Sequence, residues 1–177
     1  MAKGRKEIWE WMKSLLVAVS LALIVRAFFV TPIVVDGASM MPTLQDHNRM
    51  IVSKIGEPNR FDIVVFHATE EDDYLKRVIG LPGDRIEYKN DTLLINNKAY
   101  EEVYLDNYKK DHKKNGYESP YTENFKVIVP EGNLFVLGDN RKHSMDSRHI
   151  GPVPIENVFG TTKVVYYPIN DIQIIGN

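Results

Sequence analysis

The sequence predicts a mainly β domain, an antiparallel sheet of barrel-like or sandwiched form, preceded by one N-terminal transmembrane helix. Three observations carry this. Ser14 to Val30 reads SLLVAVSLALIVRAFFV, an apolar run interrupted by one charge, Arg26. From Ile33 onward the chain consists of short runs rich in Val, Ile, Tyr and Phe, broken by Gly, Pro, Asn and Asp. No second long apolar run and no internal repeat follows. At 177 residues and 44% apolar content the chain can bury one ordinary core and carry an appendage. Its 22 Lys+Arg against 24 Asp+Glu leave a net charge of −2, which speaks against a polybasic nucleic-acid binder. The absence of cysteine removes disulfide scaffolds, Cys-ligated zinc and thiol nucleophiles.

Residues 1–13 are expected to form a tail, 14–30 an anchor and 31–177 an exported domain. A cleaved signal would need small residues directly after the apolar run, yet Phe28-Phe29-Val30-Thr31-Pro32 follows. A buried amphipathic helix would need a polar residue every turn, and Leu15 to Val25 offers only Ser20. A membrane span fits, short but sufficient if Arg26 snorkels, with Trp9 and Trp11 in an interfacial belt. Lys3, Arg5, Lys6 and Lys13 precede it, and no Lys or Arg occurs from Thr31 to Asn48. The positive-inside rule then places the N-terminus in the cytoplasm and the domain outside.

Strands are expected at 33–36, 49–54, 62–67, 75–81, 85–89, 92–95, 126–129, 134–137, 158–167 and 172–175. The stretch from Tyr104 to Asn124 is polar, lysine-rich and nearly without aliphatics. It reads as a solvated loop or small insertion, the alternative being that Lys109, Lys110, Lys113 and Lys114 touch anionic head groups or an acidic partner.

Three segments look more like sites than scaffold. In Asp36-Gly37-Ala38-Ser39-Met40-Met41-Pro42-Thr43-Leu44, the residues before Ser39 carry little bulk, so a substrate backbone could approach its hydroxyl. In the segment from Tyr74 to Asp84, Lys76 and Arg77 on a strand would point to opposite faces, so one basic residue is directed at the core whichever face is buried. The third, Gly138 to Arg148, crowds Asp139, Arg141, His143, Ser144, Asp146 and Arg148 directly after an apolar strand. A serine nucleophile needs a His or Lys base, and spacing alone leaves a Ser-His-Asp triad open among His47, His67, His112, His143 and His149. His143, Asp146 and His149 also have metal-ligand spacing on a helix, but the local sequence reads as loop.

These three segments, in this order, resemble the conserved boxes of the bacterial type I signal peptidases. With the single anchor, the chain is similar to the Bacillus-type members over nearly its whole length. The resemblance implies a membrane-anchored serine endopeptidase that removes signal peptides from exported preproteins after small residues of the A-x-A type, without cofactor or metal. It implies Ser39 as nucleophile and Lys76 as general base, with Ser144 hydrogen-bonding and orienting Lys76. Asp146, Arg148, Arg77 and Asp139 would support the site. The implied location is the bacterial plasma membrane, with the N-terminus cytoplasmic and the domain extracellular. Members from Gram-negative bacteria carry a hydroxyl residue where this chain has Gly37, so the second oxyanion donor would be a backbone group or water.

An exposed lysine titrates at about 10.4 and is useless as a base at neutral pH; lowering it to about 8 takes roughly 3 kcal/mol of bias, which burial can supply. Substrate is expected to bind as an added strand against Ile33, Val35 and Met40, with Met40 and Met41 lying against lipid or substrate. Two other readings are a self-cleaving repressor, which would carry a DNA-binding segment where the span lies, and a non-enzymatic β domain that binds a partner.

Overall fold

In the computed structural model, which describes residues 2–175 and side chains from Glu7 onward, the N-terminal apolar run belongs to one helix, α1 (Ala2–Phe28). Met1, Gly176 and Asn177, with the side chains of Lys3, Arg5 and Lys6, lie outside the described residues, and so do those ends of the expected tail and domain. Glu7–Phe28 is long and apolar enough to cross a membrane, and none of it is buried by the rest of the chain. The helix is therefore longer than the expected 14–30 at its start and stops short of Val30. Its last carbonyls find partners: Phe29 N–H donates to Val25 O at 2.9 Å and Lys54 Nζ to Ala27 O at 3.1 Å.

The remaining elements follow in chain order: β1 (Val30–Val34), β2 (Arg49–Ser53), β3 (Ile63–His67), β4 (Asp73–Gly80), β5 (Arg85–Lys89), β6 (Thr92–Ile95) and β7 (Lys98–Tyr100). Then come α2 (Asp106–Lys114), β8 (Phe125–Ile128), β9 (Asn133–Leu137), α3 (Ser147–Ile150), β10 (Val153–Pro154), β11 (Val158–Tyr167) and β12 (Gln173–Ile174). The class is mainly antiparallel β, as the sequence predicts. The short β7 and the proline-containing β10 were not expected. The polar stretch holds α2 instead of a plain loop. Asp106 in its first turn and His112, Lys113 and Lys114 in its last complement the helix dipole, so it forms without burying any residue. Lys109 is half-buried on Asp91 O and Glu102, which takes it out of the group expected to meet anionic head groups.

Two sheets form. One runs β1-β2-β11-β3-β4-β9-β10, with β12 also on β11; the other runs β7-β6-β5-β8. β11 is long because it serves three neighbours: β2 along one edge, β3 and then β12 along the other. Every one of these pairings is antiparallel, so β1 and β4 run in the same direction. The sheet curls until β1 and the first half of β4 line a common cleft, but no ladder joins them. The barrel expected from sequence is thus left open. Pro32, which donates no hydrogen bond, sits in β1, a strand that pairs along one edge alone.

Both faces of β4 are covered. Ile79 packs with Ile86, Tyr88, Leu93 and Phe135, while Val78 packs with Val64, Phe66 and Val136. A third cluster, Val35, Met40, Leu44, Met50 and Ile63, fastens the loop after β1 to the sheet. Leu44→Ala, at a fully buried position, is expected to lower unfolding free energy by about 2–5 kcal/mol, read from a denaturant midpoint. An unchanged midpoint would mean that this loop is not anchored by packing.

Candidate active site

The loop after β1 carries Ser39, and its shape is set from several sides. Gly37 has φ +87°, a left-handed conformation that favours glycine, and its N–H donates to Asp46 Oδ1 at 2.9 Å. Met40 and Leu44 are buried beneath the loop. Thr43 Oγ1 donates to Asp139 Oδ2 at 2.5 Å. Asn140 clamps the peptide units around Ser39: its Nδ2 donates to Ala38 O at 3.1 Å and its N–H to Ser39 O at 3.0 Å.

Lys76 reaches this loop from β4. Its Nζ lies 3.0 Å from Ser39 Oγ and 3.0 Å from Leu75 O. The residue is only 4% exposed, with the Tyr74 ring 5.0 Å from Nζ. Burial lowers the Lys76 pKa from 10.5 to about 8, against the opposing pull of Asp146 and then Asp139. Arg77, the next residue, is buried on the other face, so both basic residues of this strand are directed inward. Its Nε donates to Asp139 Oδ1 at 2.9 Å, its Nη2 to Asp139 Oδ2 at 2.7 Å and its Nη1 to Phe61 O at 2.9 Å. Burial opposes the Arg77 charge, but Asp139 outweighs it and raises the pKa.

The segment after β9 closes the site. Gly138 is required by close approach, since a Cβ there would lie 2.1 Å from Ser144 Oγ and 2.6 Å from Ser39 O. Asp146 caps α3 and accepts Arg148 Nε and Nη2, each at 2.8 Å, and Gly138 N–H at 3.0 Å. Burial works to raise the Asp146 pKa, but Arg148, the Gly138 N–H and Ser144 bring it below the ordinary carboxylate value.

Ser39, Lys76, Arg77, Asp139, Ser144, Asp146 and Arg148 therefore gather in one region, around a cleft of about 350 Å³ whose lining includes Ile33, Val35, Ser39, Met40, Lys76 and Met145. One expectation needs correction, and the lipid-or-substrate alternative for Met40 narrows to the cleft. Ser144 makes no hydrogen bond to Lys76: its covered Oγ is packed against Gly138. Met40 does not reach lipid, because at 1% exposure it belongs to the core and forms the cleft floor. No histidine among the described residues hydrogen-bonds Ser39. His143 and His149 are exposed while Asp146 is buried, and the described residues hold no cluster fit for a metal ion.

A second buried network escaped the sequence reading. Arg141 Nη2 donates to Glu102 Oε1 at 2.6 Å, and its Nη1 donates to Tyr88 OH at 2.5 Å and to Thr122 Oγ1 at 3.1 Å. Tyr88 OH also donates to Glu102, and Lys109 Nζ lies 3.2 Å from the other Glu102 oxygen. Burial would raise the Glu102 pKa, but Arg141 and Lys109 hold it low. Tyr104 joins the two networks, with its hydroxyl on Glu102 and its ring 4.0 Å from the Arg77 guanidinium. Asn140 and Met145 were also missed as site residues, although both lie in the segment singled out for its density of polar groups.

A family model described as signal peptidase, peptidase S26, matches residues 8–167. Signal peptidase I S of Bacillus subtilis is 45% identical over 174 residues, covering 96% of this chain and 94% of that one. Signal peptidase IB of Staphylococcus aureus is 41% identical over 181 residues, covering 96% and 94%. A crystal structure of a signal peptidase I from Enterococcus faecalis superposes with TM-score 0.54 at 41% identity, covering 60% of this chain and 97% of that one.

The Lys76 amine has a consequence for stability. Between pH 8 and 10.5 the unfolded chain holds a proton that the folded chain has released. Folding therefore gains stability as pH rises through that window, by about 3 kcal/mol in all. Lys76→Met removes the burdened charge. It is expected to be more stable than wild type at pH 7, with the difference shrinking towards pH 10.5 in denaturant titrations. Equal stability at every pH would show that the amine is not desolvated.

Proposed function

The chain belongs to the S26 family of signal peptidases, and from that premise we propose that Ser39 and Lys76 are the nucleophile and general base with which it cuts signal peptides from exported preproteins. The observation that carries this is the 3.0 Å approach of Lys76 Nζ to Ser39 Oγ, at a site where burial lowers the lysine pKa to about 8. A neutral amine has two hydrogens and one lone pair. With one hydrogen directed to Leu75 O, the lone pair is free to accept the Ser39 proton. Ser39 Oγ then attacks the scissile carbonyl, and the Lys76 ammonium returns its proton to the leaving amine. Water then attacks the acyl-enzyme ester, Lys76 takes its proton and passes it to the departing Ser39 Oγ, which releases the carboxyl product and restores the hydroxyl and the neutral amine. Arg77 cannot substitute, because a guanidinium does not deprotonate usefully. Gly37 has no hydroxyl to offer, so the oxyanion is held by the Ser39 N–H with a backbone group or water.

Substrate geometry follows from the open barrel. β1 pairs only with β2, and Asp73–Lys76 of β4 pairs only with β3, while residues of both strands line the cleft. Both strands run towards the site. An extended peptide entering between them lies parallel to both and delivers its scissile bond to Ser39. Ile33 and Val35 line the cleft over the buried Met40, and subsites that they restrict to small side chains are the basis proposed for A-x-A selection.

α1 anchors the enzyme in the plasma membrane, with residues 1–13 cytoplasmic and the domain from residue 31 outside, as the Lys/Arg asymmetry directs. Nine residues from Val30 to Ser39 reach at most about 30 Å, so the nucleophile stays near the outer membrane surface, where a signal peptide presents its cleavage site. The anchor contacts lipid, and the domain has no use for nucleic acid, metal or cofactor.

Cleavage of a secretory preprotein by the full chain in detergent tests this. A product N-terminus just after an A-x-A site is expected, at a rate that rises with pH to a plateau above about 8. Ser39→Ala and Lys76→Ala should each lower kcat about a thousandfold or more, and a chelator should have no effect. Undiminished cleavage by Lys76→Ala would return the base to a histidine.

A further inference from the structure

A second cavity, of about 600 Å³, lies between α1 and the outer face of the sheet, lined by Ala18, Ala22 and Val25 on one side and by Pro32, Ile51 and Tyr166 on the other. Apart from Arg26 at its end its lining is apolar, and it is not part of the cleft. We propose that this groove docks the apolar helix of the substrate's signal peptide, an inference that rests on the function proposed above.

Continuity with the cleft is the main reason. Val30 and Pro32 line the groove, while Ile33, Val34 and Val35 line the cleft, so β1 leads from one to the other. A peptide lying parallel to β1, with its scissile bond at Ser39, passes back along this strand and reaches the end of α1 after about six to nine extended residues. There its apolar segment enters the membrane beside the enzyme's own helix.

Length and shape agree with this occupant. A signal peptide's apolar region of about 7–15 residues is about 10–22 Å long as a helix. On α1, Ala18 and Ala22 share one face, and the helical part of the lining, from Ala18 to Arg26, is about 12 Å long. Small side chains on that face permit close helix approach in lipid, where contact packing drives association. A second copy of this chain fits less well. Its α1 is joined to its own β1 through Phe29 alone, so it would bring a whole β domain against the sheet face that forms the groove's other wall.

The test uses the full chain in phosphatidylethanolamine–phosphatidylglycerol vesicles, with a photoreactive residue at Leu21, which also lines the groove. Ser39→Ala is included to hold an uncleaved preprotein. Crosslinks to the preprotein's apolar segment are expected; crosslinks confined to lipid, or to a second copy of the chain, overturn the proposal. A kinetic arm fills the groove with Ala18→Leu and Ala22→Leu. KM for a full preprotein should rise about tenfold, while a short peptide spanning only the cleavage site is cut as by wild type. An unchanged KM for the preprotein also overturns the proposal. Failure of the wild-type chain to cut either substrate would strike the proposed function instead, and the crosslink would still decide the docking.

Discussion

A lysine amine held out of water beside a serine hydroxyl costs free energy, and most of the structure around Lys76 can be understood as sustaining that arrangement. Desolvation alone would favour the neutral amine, but two carboxylates, Asp146 and Asp139, lie close enough to pull the pKa back up. Each is committed to its own arginine: Asp146 to Arg148, and Asp139 to Arg77, both through two hydrogen bonds. A paired carboxylate exerts a much weaker field on a third group than a bare one, so burial prevails at Lys76. The ion pairs that brace the loops thus also protect the pKa. A buried pair is weak evidence for net stability, yet breaking one strands a charge at a cost of about 3–5 kcal/mol. The arginines of this region are therefore structural and electrostatic at once.

The second constraint is the open barrel. Had β1 paired with β4, the gap beside Ser39 would have closed, and neither of these two edges would remain for a peptide. Leaving the gap gives two parallel edges that converge on Ser39 and Lys76, and the same β1 continues from the helix that fits a membrane anchor. Nucleophile, binding edge and anchor are thus consecutive along 38 residues from Ala2 to Ser39. The base and the bracing carboxylates arrive from β4 and from the segment after β9.

Much of this was legible in the sequence because the signals were local. Alternating β-branched and aromatic runs between turn residues marked most strands within a few residues of their observed bounds. Opposite-facing Lys76 and Arg77 signalled that at least one cation must enter the core. That both do depends on β4 lying between two packed layers, which no single strand reveals. The Glu102–Arg141 pair was invisible because its partners are 39 residues apart in sequence and meet only through tertiary folding. Helix α2 lacks any apolar period, its signals being dipole complementarity alone. Ser144 was assigned to Lys76 by resemblance, but its covered Oγ packs against Gly138 and makes no hydrogen bond to the amine.

The most direct test of the central claim is the titration of Lys76 itself in the full-length folded protein, followed by NMR of lysine labelled at the ε-methylene carbon and assigned through Lys76→Met. An inflection near pH 8 is expected, well separated from the exposed lysines. An inflection at the ordinary value of 10.5 would mean that the amine is charged at neutral pH and is not the base.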